Sequence, residues 1–117
     1  VAEGKDKDSK EVMPLTEGFY YILISLIPAP GHGYGIMQDV EKMTNGRVRI
    51  GPGTLYTALN TLLKKQLIVD VPTAESEDSR RKLYAITEDG KRTITAEMRR
   101  LEELLNNGRQ VMNAGEV

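Results

Sequence analysis

The chain has 117 residues, 16 Lys/Arg against 17 Asp/Glu, a formal net charge of -1, no cysteine and one histidine. That length fits one compact domain with a single core. The composition excludes disulfides, thiol chemistry and a Cys/His zinc site, and no run approaches the roughly 18 apolar residues of a membrane span. A reducing, cytoplasmic setting fits, and the opening "VAEGKDKDSKEVMP" is too charged for a secretory signal. Bulk charge is neutral, but residues 42–92 carry ten Lys/Arg against six Asp/Glu, while the remainder carries six against eleven. A basic patch on an otherwise acidic molecule is expected.

Residues 1–14 hold almost nothing to bury and read as a flexible arm. "LTEGFYYILISLI" then begins a helix with Thr16 as N-cap and Glu17 in the first turn, where the dipole favours an anion. Phe19, Tyr20, Tyr21, Ile22, Leu23, Ile24, Leu26 and Ile27 leave it no polar face, so one side should meet the domain's own core and the other a second subunit. "PAPGHG" ends it. "YGIMQDVEKMT" is the second helix, with Gly33 and Gly35 at its start implying close backbone packing. Asn45-Gly46 marks a turn, and the alternation in "RVRI" predicts a short strand with Arg47 and Arg49 outward. His32, alone in a turn, reads as structural.

"GPGTLYTALNTLLKKQLI", residues 51–68, predicts a third helix with proline at its first position. Leu55, Leu59, Leu62 and Leu63 form its apolar stripe, while Thr54, Tyr56, Thr57, Asn60, Thr61 and Lys64 occupy the other side without a single acid. "LIVDVP" and "KLYAIT" read as strands joined by the long polar connection "TAESEDSRR". Thr87 caps a last helix over 87–107, where Ile94, Met98, Leu101 and Leu105 make a heptad seam widened by Leu104. Glu102 and Glu103 belong to its solvated side. Asn106-Asn107-Gly108 is the expected C-cap, leaving 108–117 as a flexible tail.

This order predicts a mainly α chain with a small β-hairpin: a winged helix-turn-helix over 15–86 followed by a C-terminal dimerisation helix. In that arrangement the third helix enters the DNA major groove and the hairpin tip reaches along the backbone. Thr54, Thr57, Asn60 and Thr61 are suited to base edges, and Lys64 and Arg49 to phosphates, as are the free N–H groups near Gly53. Arg80, Arg81 and Lys82 form a basic wing. The alternative for such a surface is an interaction module that binds protein or RNA. No acid/base or nucleophile–base pair, metal site or cofactor site is evident, so no enzyme is expected.

"HGYGI" (32–36), the 51–68 segment and "RRKLYAITEDGKR" (80–92) together resemble the PadR family of bacterial transcriptional regulators, over about residues 15–107. The resemblance implies a homodimeric winged-helix repressor whose C-terminal helix packs on the partner's first helix, and whose DNA is released by small phenolic or apolar effectors. It carries Tyr34, Thr54, Tyr56 and Lys64 over as DNA contacts, with Tyr56 reaching a phosphate. Arg80, Arg81 and Lys82 match the basic wing, and Tyr84, Thr87 and Gly90 match structural positions. The dimer surface is expected at Phe19, Tyr20, Leu23, Ile24, Ile94, Met98, Leu101 and Leu105. Tyr20, Tyr21 and Met98 could line an effector cavity, although interface packing with hydroxyls at the rim is the simpler reading. Two departures stand out. Gln66 occupies a position where the family has glycine, so that turn is expected to be built differently, and the chain has no tryptophan for an aromatic sandwich.

Overall fold

The computed structural model describes residues 15–73 and 82–115. Their elements are α1 (Glu17–Ser25), β1 (Gly31–His32), α2 (Gly33–Met43), α3 (Pro52–Lys64), β2 (Ile68–Val71), β3 (Leu83–Ile86) and α4 (Glu88–Gly115). The three strands form an antiparallel sheet in the order β1-β3-β2. This is the winged helix-turn-helix expected from the sequence, with a long helix added. The arm over 1–14 and the hairpin tip over 74–81 lie outside the described residues.

Thr16 caps α1 by accepting the Phe19 N–H at 3.1 Å. The helix sends Ile22, Leu23 and Leu26 into a core shared with Ile36 and Val40 of α2, Leu55, Leu59 and Leu62 of α3, Ile68, Tyr84 and Ile94. By helical geometry, Phe19 lies on that same inward side, whereas Tyr20, Tyr21 and Ile24 fall toward the opposite side, half-buried with part of each side chain against the core. Leu23 is 0% and Ile94 2% exposed. Neither therefore offers surface to a second subunit, contrary to expectation: their stripes are used up by the chain's own core.

Two helices end in Schellman caps. At the end of α2, Asn45 (φ 52°) and Gly46 (φ 79°) turn the chain, and the Gly46 N–H returns to Glu41 O at 2.8 Å. At the end of α3, Gln66 itself adopts φ 63°, with Gln66 N–H to Leu63 O and Leu67 N–H to Leu62 O, both 3.0 Å. The turn is thus the one a glycine would make, although glutamine there costs about 1–2 kcal/mol. The two bonds and the burial of Leu67 against the core offset that cost.

Three local expectations are corrected. No strand forms over 47–50: Thr44 Oγ1 takes the Val48 N–H at 3.0 Å, and Val48 and Ile50 pack as loop residues against the core, with no strand edge beside them. Strand β1 was not foreseen, because two residues are too few to show a pattern; it pairs Gly31 with Tyr84 and His32 with Leu83. His32 Nδ1 also donates to Lys82 O at 3.0 Å, giving the histidine a structural place at the root of the wing. The last helix does not stop at Asn107. Gly108 stays helical and α4 runs 28 residues, to Gly115. That is about 42 Å of helix at 1.5 Å per residue.

Glycine is required at Gly90, where an added Cβ would strike the Leu67 carbonyl, and is favoured at Gly33, where it would sit 2.5 Å from the Tyr56 hydroxyl and push that ring aside. Gly35 has open space, so only Gly33 fulfils the expected close packing.

Helix α4 meets α1 through a buried charge that the sequence reading missed. Glu97 is 6% exposed and accepts Arg100 Nη2 at 2.6 Å and Nε at 3.0 Å, with a further bond from the backbone of Leu15. The Arg100 guanidinium, working against the penalty of burial, holds the Glu97 carboxyl below its usual 4.5. A depressed pKa contributes stability that is complete above the ordinary carboxylate range and is lost as pH falls through the lowered value. Glu97→Gln is therefore expected to lower stability at pH 7. In urea titrations the gap to the parent should narrow by pH 3; a gap independent of pH would point to shape, not charge.

Candidate nucleic-acid interface

Helix α3 buries Leu55, Ala58, Leu59 and Leu62. At 100° per residue, the direction opposite that stripe belongs to Gly53, Thr57, Asn60 and Lys64. All four are exposed. Thr54 and Thr61 border this face on one side, Tyr56 and Leu63 on the other. Glycine at 51 and 53 and proline at 52 keep the start of the helix free of bulk, and no acidic side chain stands in its first turn.

Several expected contacts are placed differently from one another. Thr54 is open to solvent, while Thr61 is half-buried and donates its hydroxyl back to Thr57 O at 3.2 Å. Tyr56 does not project from the reading face. Its ring is half-buried and its hydroxyl lies over Gly33 at the start of α2. Tyr34, the next residue along, is 67% exposed. Tyr84, on β3, is buried, and its hydroxyl pKa is raised by burial first and then by Asp70 and Tyr56. Tyr56 of α3 thus lies close enough to Tyr84 of the wing to affect its ionisation, and Tyr84 stays neutral.

The arginines ahead of α3 both have intramolecular partners. Arg49 Nε lies 3.4 Å from Glu41 Oε2, and Arg47 pairs with Glu17 and approaches the Tyr21 hydroxyl at 3.5 Å. Both ion pairs are exposed, where such pairs contribute little, so exchange of Arg49 onto a phosphate costs little. Lys82 sits at the foot of β3; Arg80 and Arg81 fall outside the described residues.

A groove of about 620 Å³ runs beside the reading face, lined by Phe19, Gly53, Thr54, Thr57, Ala58 and Thr61. Phe19 was expected in a dimer surface; it is turned toward α3 instead. Helical phase was the available signal, since Phe19 lies in line with Leu23 and Leu26.

Residues 22–96 match the Transcriptional regulator PadR-like family. The chain belongs to that family. It is 30% identical over 93 residues to Uncharacterized protein X of Lysinibacillus sphaericus, covering 74% of this chain and 85% of that protein. Transcriptional regulator YqjI of Escherichia coli is 34% identical over 59 residues, half of this chain but 27% of YqjI. The fold is also that of a PadR-like transcription factor from Bacteroides fragilis, with a TM-score of 0.67 at 21% identity over 92% of this chain and 98% of that one. A transcriptional regulator from Clostridium thermocellum gives 0.62 at 24%, over 92% and 96%. The PadR-like chain is a DNA-binding transcriptional regulator, not an enzyme. Among the described residues no helix is long and apolar enough to cross a membrane.

Asn60, exposed at the centre of the reading face, can pair with adenine through its amide oxygen, accepting from N6, and its amide NH2, donating to N7. Asn60→Ala is expected to relax preference at one base pair per half-site; selection from randomised duplexes returning an unaltered motif would remove Asn60 from that role.

Proposed function

We propose that this PadR-like chain acts in the cytoplasm as a homodimeric repressor that occludes promoter DNA, one reading helix per half-site of a pseudo-palindromic operator. One observation carries the dimer. Every residue from Leu101 to Gly115 is exposed, yet Met98, Leu101, Leu105 and Met112 continue a three-four spacing, with Leu104 and Val111 beside them. An isolated helical end is marginal in water, the more so with Gly108 inside it. A second copy supplies the missing cover, each buried Leu or Met contributing about 1.5–3 kcal/mol. The parts of Tyr20, Tyr21 and Ile24 that the chain's own core leaves uncovered offer the matching apolar surface.

Paired this way, the two reading faces would address half-sites about 34–36 Å apart, or a multiple. The acid-free surface of α3 and Lys64 at its far end suit it to a polyanion. Small apolar or phenolic molecules are the effector class we propose, held where Tyr20 and Tyr21, in edge-to-face contact at 5.8 Å, meet Met98. In one chain Met98 is exposed and the two tyrosines are half-buried, so enclosure depends on the partner.

Two experiments test the proposal. Lys64→Ala should weaken binding to every duplex and reduce the salt slope by about one unit in anisotropy titrations; an unchanged slope removes Lys64 from the phosphate contacts. Leu101→Glu with Leu105→Glu should yield monomer or aggregate by light scattering. A stable monomer in the unmutated protein would contradict the dimer directly.

A further inference from the structure

The groove beside α3 is not part of the helix-turn-helix alone. Its outer wall is Phe19, from the first turn of α1, and its inner wall is Gly53, Thr54, Thr57, Ala58 and Thr61. Among the described residues no charged side chain lines it. Phe19 presents a half-buried ring, Ala58 lies buried at the floor, and each threonine offers a methyl beside a hydroxyl. The groove shares Gly53 and Thr57 with the outermost strip of the reading face, so the two surfaces are continuous.

We propose that Phe19 is a specificity-determining residue: its ring and the methyl of the exposed Thr54 form an apolar receptor for the C5-methyl of one thymine in each half-site. The proposal rests on α3 entering the major groove. Among the major-groove edges of the four bases, the thymine methyl is the apolar feature, and Phe, Ala and Thr methyls are the side-chain groups that suit it. Among the described residues a phosphate would find no cation lining this groove, and polar base groups would find the threonine hydroxyls and, at one end, the Gly53 N–H. Of these, Thr61 already spends its proton on Thr57 O. Phe19 would thus add an A·T preference on the α1 side of the base pair addressed by Asn60.

The test is single replacement of each thymine by deoxyuridine in a selected duplex, which removes only the methyl, with affinities measured by anisotropy. One position per half-site should lose about fourfold, the order expected for one methyl returned to water. In Phe19→Ala that penalty should vanish, while effects of base-pair changes at other positions persist. Thermal melts check that the variant folds; if Phe19→Ala does not, Phe19→Leu should fold and show a reduced penalty. Persistence of the full penalty in either folded variant overturns the inference. So does a variant that weakens all duplexes alike with no methyl dependence, since the ring then packs on deoxyribose. So does transfer of the methyl effect to Thr57→Ser. Failure of the unmutated protein to bind any duplex would overturn the DNA reading of α3 itself, a result distinct from the loss of the Phe19 role alone.

Discussion

One hydroxyl group, that of Thr87, ties together the three parts on which function depends. It donates to Gln66 O at 2.8 Å, at the end of the reading helix, and accepts the Gly90 N–H at 2.9 Å, in the first turn of α4. The Thr87 N–H goes to Leu67 O at 3.0 Å, and Gly90 lets that carbonyl approach α4 with no side chain in the way. The end of α3, the close of the wing and the start of the long helix are therefore one hydrogen-bonded junction. The left-handed Gln66 is the strained residue within it. If α4 pairs with a second copy, the separation and tilt of two reading helices are set here, by short bonds that leave little freedom for drift.

The reading face gains its character from subtraction. Its acids are absent, and the carboxylates nearby are already engaged: Glu17 holds Arg47 and Glu41 holds Arg49. At exposed positions such pairs exchange readily, so the loop ahead of α3 presents arginines whose partners can be traded for phosphate. The wing root is fixed from the other side, where His32 bonds to the backbone of Lys82 and β1 covers the free edge of β3. Net charge near zero thus coexists with a surface suited to DNA, because charge is distributed by fold rather than by composition.

How much of this was legible in the sequence differs by kind of signal. The caps at Thr16 and Thr87, the proline start of α3 and its apolar stripe were readable because each rests on contacts a few residues apart, and the hairpin because its two strands show β-rich runs either side of a polar connection. The acid-free face of α3 was readable for the same reason. What failed depended on contacts distant in sequence. The "RVRI" alternation is real in burial but meets no strand edge, and β1 exists only because β3 has an open side. Leu23 and Ile94 looked like interface because a stripe does not say which of two neighbours it faces. Tyr56 was placed on the outer face, yet Gly33 draws its hydroxyl inward. Gly108 read as a stop although nothing there turns the chain, and Glu97 was invisible until Arg100 and Leu15 were seen around it.

The central claim is that α3 and the foot of the wing form the surface that meets DNA. Amide hydrogen exchange, compared with and without excess duplex at low ionic strength, tests it most directly. The account predicts new protection over residues 51–64 and around Lys82, with little change from Leu101 to Gly115. Protection confined to the long helix, or none anywhere on α3, would contradict it.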